Sequence, residues 1–178
     1  VIDDLYHELG GRWKSVSLTL GGAETAFRRL IMPNVSSRAL NQAVWFEAKR
    51  QIPFPINECH FDYRRVAEIF EDSSTKLKIA LIAGTRRLIS EHLAPFQALS
   101  IRVDSIYLSQ DVIGRMLGGL PDFESKRHYC LVNVERNRSE IAYYLGTELE
   151  FAHVISLGSH FLANRRDGQT IYYRIASS

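Results

Sequence analysis

Cysteine is scarce in these 178 residues: Cys59 and Cys130 stand far apart, with no metal-ligand spacing around either. That usage fits a reduced compartment, and only geometry decides whether the two form a single disulfide. A run of about 18 apolar residues is missing, so no segment has the length of a transmembrane helix. No basic, then apolar, then small-residue leader opens the residues given, so no signal peptide is expected. Both common phosphate cradles, Gly-x-Gly-x-x-Gly and Gly-x-x-x-x-Gly-Lys, are absent. The six histidines, His7, His60, His92, His128, His153 and His160, include no pair at metal spacing and read as surface or strand residues. Ser156 lies near two of them, but without the glycine pattern of a nucleophile elbow, which argues against a hydrolase triad. An excess of one charge is missing as well. Lys+Arg 22 against Asp+Glu 20 leaves a scattered +2, too weak to argue for nucleic acid or an anionic membrane.

What is present is apolar substance. At 46% hydrophobic residues the chain can build a real core, in one medium domain or two small ones. Val1 in place of Met, and an apolar strand-like run just before residue 178, suggest a piece of a longer protein. Ile2, Leu5, Tyr6 and Leu9 fall at helical spacing, stopped by Gly10-Gly11. Val16, Leu18 and Leu20 alternate on a strand ended by Gly21-Gly22, and "TAFRRLIM" is a second strand closed by Pro33. A helix from Ser37 to Gln51 places Leu40, Val44, Glu47, Ala48 and Gln51 on one face. Pro53 and Pro55 end it, since each lacks an amide hydrogen and biases the preceding residue away from helix.

Beyond it, "CHFDYRRVAEIF" alternates as a strand, "EDSST" is a turn and "KLKIALIAG" a short buried strand. Thr85 can cap a helix running to about Leu99, and the strand "IRVDSIYL" leads into a helix from Ser109 to Leu117. After "GGLPDFESKR", residues 118–127 and the best boundary by composition, come "HYCLVNV", "SEIAYYLG" and "LEFAHVIS". Their short breaks "ERNR" and "GTE" predict an antiparallel meander. The order α-β-β-α-β-β-α-β-α-β-β-β indicates an α/β or α+β chain.

Few residues carry chemistry. Arg28 and Arg29 send one side chain to each face of their strand, as a solvated edge or as an anchor for an acidic segment. Glu47 reads as a carboxylate at the core's rim, satisfied by Lys, Arg or an amide. Ile52 and Phe54 read as plugs over the helix end, with Pro53 and Pro55 fixing the turn. No residue is assigned a catalytic role.

Taken together, "RRLIMPNVSSRALNQAVWFEAKRQIPFPINECHFDYRRV" resembles the type IV pilus assembly protein PilM family, an actin-like family related to FtsA. The matching positions are Arg29 to Pro33, Glu47-Ala48, Ile52-Pro53-Phe54 and Asp62-Tyr63. "KIALIAGTRRLISEHLAPFQALSIRVDSI" resembles the family's next strand, helix and Val-Asp strand, with Val103-Asp104 matching, so the likeness covers about residues 12–160. It implies a partial actin-like (ribonuclease H-like) α/β fold. Residues 1–23 would end the first lobe, 24–108 form an inserted small α/β subdomain, and 109–178 open the second lobe with the meander.

The resemblance further implies a cytoplasmic scaffold, peripheral at the inner membrane and touching it only through its partner. It would hold the N-terminal peptide of a PilN-like membrane protein in a groove beside the small subdomain. Arg28, Arg29, Ile52, Pro53 and Phe54 are then the candidate groove residues. The superfamily's first Asp-x-Gly phosphate loop has no counterpart here, and the second position reads Asn133-Val134-Glu135-Arg136-Asn137. Asn133 and Glu135 could offer magnesium oxygen ligands, but the glycine that lets backbone amides meet phosphate is gone. The expectation is therefore no ATP hydrolysis and no cofactor in this chain alone, while the resemblance leaves ATP with magnesium open to the full-length family.

The alternative reading is a nucleotide-binding actin-like ATPase fragment, like FtsA or the type II secretion protein GspL. A lesser one rests on "NRRDGQTIYYR", residues 164–174, which resembles the wing hairpin of metal-sensing winged-helix repressors. No recognition helix precedes it, and a wing alone reads little sequence, so no nucleic-acid partner is expected.

Overall fold

The computed structural model describes residues 2–11 and 15–163, apart from the side chains of 162 and 163. The chain's densest apolar run, in β4 (Ser74–Thr85), forms the centre of a three-stranded antiparallel sheet. A strand covered on both faces must be apolar on both, which is why its alternation is weak. Its neighbours are β2 (Thr25–Pro33) and β3 (Cys59–Glu71). On one face, Leu77, Ile79, Leu81 and Ala83 meet Leu40, Val44 and Ala48 of α2 (Ser37–Gln51), all buried. Their spacing of four puts these helical residues on a single stripe, which is the physical basis of the packing.

The proline corner behaves as the sequence predicts. Ile52 leaves the helix in an extended conformation (φ −74°, ψ 129°) while its N–H still reaches the Ala48 carbonyl at 2.9 Å. Ile52 is buried and Phe54 half-buried against the core, so this junction is a helix stop. Glu47 accepts from Arg50 and Gln51, each at 2.8 Å, the rim-of-core carboxylate expected.

The β3–β4 turn is tighter than the sequence suggests. Only Asp72 and Ser73 lie outside the strands, both at positive φ (50° and 61°), as in a two-residue hairpin. The polar residues Glu71, Ser74 and Thr75 read as loop from composition, yet they pair across the ladder. A bulge between Arg65 and Ala67 absorbs one extra residue. After β4, Thr85 caps α3 (Arg86–Ala98), its side chain accepting the Leu88 N–H at 3.2 Å.

A second, parallel pair lies outside this sheet. It joins β1 (Ser17–Leu20) to β5 (Ser105–Leu108), so the intervening chain leaves and returns at one place. The expected strand from residue 101 therefore begins only at Ser105, and its partner is β1 rather than the three-stranded sheet. Following it, α4 (Ser109–Leu117) packs on the meander of β6 (His128–Val134), β7 (Ser139–Leu145) and β8 (Glu148–Ile155). The helix comes close because residue 114 is glycine. A Cβ there would stand 2.7 Å from the Tyr144 ring and 2.6 Å from the Thr147 carbonyl oxygen. The second core, Phe27, Ala80, Leu108, Ala142, Tyr144 and Leu149, fills the space between this layer and the other face of the three-stranded sheet.

The remaining elements are α1 (Ile2–Glu8) and α5 (Ser159–Ala163); the latter was not foreseen from sequence. The 164–174 hairpin lies outside the described residues. Cys59, buried, and Cys130, exposed, are both free thiols, and burial followed by Glu58 pushes the Cys59 thiol up. Among the described residues no helix is long and apolar enough to cross a membrane.

Tyr144 is fully buried and donates to the Gln110 carbonyl at 2.9 Å. Burial, with Asp111 and Glu140 nearby, pushes its phenol up to about 12. Above pH ~10 the unfolded phenol ionises while the folded one keeps its proton, so stability falls as pH rises towards 12. Denaturant unfolding at pH 9 to 12 should show a loss of about 2–3 kcal/mol that Tyr144→Phe lacks.

Candidate functional site

On the face of the three-stranded sheet turned away from α2, Ala80 of β4 is opposed by Arg29 on β2 and Arg64 on β3. The small side chain leaves room for both guanidinium groups, which point into the layer formed by α4 and β8. Arg29 bonds the Leu149 carbonyl and pairs with Glu150 at 3.4 Å, with 10% of its side chain exposed. Arg64 pairs with Asp111 at 2.9 Å and Glu148 at 3.1 Å, and Lys78 reaches Glu150 at 2.7 Å. Three cations of one layer thus meet three carboxylates of the other. Burial pulls the Arg29 guanidinium down more than Glu150 and Glu148 raise it. Burial also opposes the charge on Arg64, but its hydrogen bonds to Asp111 and Glu148 win and the net direction is up.

This seam holds the sheet beside β5 and leaves a groove between them. One part of it is a cavity of about 250 Å³, lined by Leu20, Phe61, Ile82, Ile89, Ile106 and Leu108 among others. It continues into a hollow of about 190 Å³ that shares Asp62, Ile82, Ile106, Tyr107 and Leu108 and ends on Arg64, Asp111 and Arg115. The groove is apolar at one end and charged at the other. Among the described residues β5 pairs only with β1, so one edge of β5 offers unpaired backbone groups. Ile106 and Tyr107 are exposed there, and the Arg115 guanidinium lies 6.0 Å from the Tyr107 ring centroid.

The five candidate groove residues do not act together. Arg28 bonds the Gln51 carbonyl at 3.1 Å and so closes the C-terminus of α2. With Pro53 it lines a separate hollow of about 200 Å³, bounded by Phe27, Gln110 and residues 152–154. Arg29 belongs to the seam; Ile52 and Phe54 belong to the core. Sequence reasoning did not single out Ile82, Ile106, Tyr107 or Arg115. The alternation in "SIYL" marks a strand but gives no sign that one of its edges is free.

Comparison with known proteins identifies the lineage. The family model described as "Type IV pilus assembly protein PilM" matches residues 1–165. The chain belongs to the PilM family. Among solved structures it is similar to a protein of the PilM-PilN type IV pilus biogenesis complex (14% identity, TM-score 0.66), covering 89% of this chain and 48% of that one. It is also similar to the cytoplasmic domain of EpsL, an inner-membrane component of the type II secretion system of Vibrio cholerae. There the identity is 12% and the TM-score 0.51, over 86% of this chain and 54% of that one. Among curated protein sequences none matched. The chain spans about half the length of these solved proteins. Its α/β architecture is a partial actin-like fold.

Asn133 and Glu135, the residues expected to offer oxygen ligands to magnesium, do not fit that ion. Both Glu135 oxygens are taken by the Arg138 guanidinium, at 2.8 and 3.2 Å, and Asn133 donates to one of them at 3.3 Å. Arg138 also approaches Glu140 at 3.5 Å. It is stacked so closely on Gly22 (φ +96°) that a Cβ there would lie 2.6 Å from its Nη1. Glu135 is thus turned to a guanidinium of its own chain, and Asn133 to Glu135. Among the described residues no group of three or more His, Cys, Asp or Glu side chains is placed to hold a metal ion.

Removing one member of the seam strands the others. Arg29→Met should lower unfolding free energy by about 2–4 kcal/mol, because the Leu149 carbonyl loses its donor and Glu150, still largely buried, is left with Lys78 alone. The double variant Arg29→Met/Glu150→Met should be less destabilised than the sum of the single changes, as a double-mutant cycle in urea would read.

Proposed function

We propose that this chain is a peptide-docking scaffold of the type IV pilus inner-membrane platform. Its partner is the N-terminal segment of a PilN-like membrane protein, which keeps the chain at the cytoplasmic face of the inner membrane. One observation carries the reading: an elongated apolar groove runs beside a strand edge with unpaired backbone groups. An extended peptide laid along β5 gains main-chain hydrogen bonds from that edge, and its alternate side chains enter the groove. Ile82, Ile106 and Leu108 would receive apolar residues, while Asp62, Asp111 and Arg115 would select charge at the other end. The solved PilM-PilN complex supports a PilN-type partner by family. No catalytic step is assigned to this chain, and the Arg138–Glu135 contact supports a reading without ATP hydrolysis.

Calorimetric titration with the cognate N-terminal peptide tests this directly. Ile106→Arg should weaken binding at least about tenfold, or ~1.4 kcal/mol. Its melting temperature should stay that of the parent, because Ile106 is 38% exposed. Arg28→Ala should leave peptide affinity unchanged. If Arg28→Ala abolishes binding and Ile106→Arg does not, the hollow beside Pro53 is the site.

A further inference from the structure

The outward face of α2 has no role in the core or in the groove. At 100° per residue, Leu40, Val44 and Ala48 centre the buried stripe, and Arg38, Gln42, Trp45, Phe46 and Lys49 fall on the opposite side. All five are exposed, Trp45 at 42% and Phe46 at 65%. The two rings meet edge to face with centroids 5.1 Å apart, and the Lys49 ammonium lies 5.8 Å from the Trp45 ring centroid. No carboxylate shares this face. The helix's one acid, Glu47, turns towards the core and is held by Arg50 and Gln51. Arg65 of β3 adds a cation at the other end of the helix, its guanidinium 3.4 Å from the Ser37 hydroxyl.

We propose that this face docks on an anionic lipid bilayer. Isolated exposed apolar residues are ordinary, but adjacent aromatic rings set among cations, with no carboxylate, have the composition of an interfacial surface. Aromatic rings settle at the headgroup level while Lys and Arg remain on the lipid phosphates. Charge complementarity selects this occupant over a second copy. A two-fold contact through the patch would set Arg38 and Lys49 of one copy against the same cations of the other. The net charge of +2 conceals the feature, because within α2 the one acid, Glu47, is turned towards the core. The inference is independent of the peptide groove, which opens on the other side of the three-stranded sheet, so both could be engaged at once.

The test uses Trp13→Phe, which leaves Trp45 as the sole tryptophan. Vesicles of phosphatidylglycerol and phosphatidylcholine, mixed at about 3:7, should co-sediment with the protein and release it on raising salt to ~0.5 M. Trp45 emission should shift to the blue and resist acrylamide quenching, while pure phosphatidylcholine vesicles do neither. Arg38→Glu and Lys49→Glu should each weaken co-sedimentation by about fivefold or more. Phe46→Ser should weaken it too, all three variants keeping the parent's melting curve. Absence of sedimentation with the anionic vesicles overturns the proposal, as does equal binding to neutral ones. Binding with unmoved Trp45 emission places the contact elsewhere and also overturns it. A concentration-dependent shift without vesicles would identify a second copy as the occupant.

Discussion

The arrangement of this chain depends on one charged seam. Arg29, Arg64 and Lys78 leave the three-stranded sheet on the same face, and Asp111, Glu148 and Glu150 receive them from α4 and β8. Ion pairs withdrawn from water stabilise little by themselves, because desolvation offsets most of the attraction. Their effect here is on position. Two apolar faces can slide over one another at small cost, whereas a guanidinium bound to a named carbonyl and two named carboxylates allows one register. The Arg29 and Asp111 side chains are the shielded members, 10% and 5% exposed, so breaking a pair there costs most, whereas Arg64 and Glu148 still face solvent.

The groove follows from that registration. β1 and β5 lie side by side although about ninety residues of chain separate them. The sheet built from that intervening chain must pack somewhere near their ends. Held by the seam against α4 and β8, it stands next to β5 without pairing to it. The strand edge and the apolar cavity are therefore two sides of one fact: the three-stranded sheet is fixed to the layer behind β5, leaving one edge of β5 itself open. The opposite face of the same sheet carries α2, so a ligand in the groove and a surface at α2 do not compete for space.

Much of the architecture was legible because its signals are local. The α2 stripe at Leu40, Val44 and Ala48, the prolines at 53 and 55, the Thr85 cap and the three alternating runs from 128 each act within a few residues. Glu47 was also legible, since helical spacing alone set it at the rim of the core. Errors came where pairing overrode composition. Polar Glu71, Ser74 and Thr75 became strand because left-handed Asp72-Ser73 closed the hairpin early, and the strand expected from 101 shortened because only Ser105–Leu108 finds β1. The site itself was mostly illegible. Arg29 was read as either a solvated edge or an anchor for an acidic segment, and the acidic segment is residues 148–150 of the same chain. Nothing local to Ile106 or Tyr107 reports that the strand beside them is missing.

Arg138 occupies the place beside Glu135 and Glu140 where a cation would otherwise be drawn. A divalent ion between two lobes attracts carboxylates from both sides, but it comes from solution and brings open coordination positions. A guanidinium joined to the chain stays beside the same carboxylates without an ion from solution and presents only donors. Resting on Gly22 and binding Glu135 and Glu140, it ties the end of β1 to the β6–β7 connection without any ligand. An anion approaching the loop would meet two carboxylates whose charge one arginine only partly offsets, and the Glu135 N–H is already bonded to the Arg138 carbonyl. The junction is thus held by contacts within the chain, from Gly22 through Arg138 to Glu135 and Glu140.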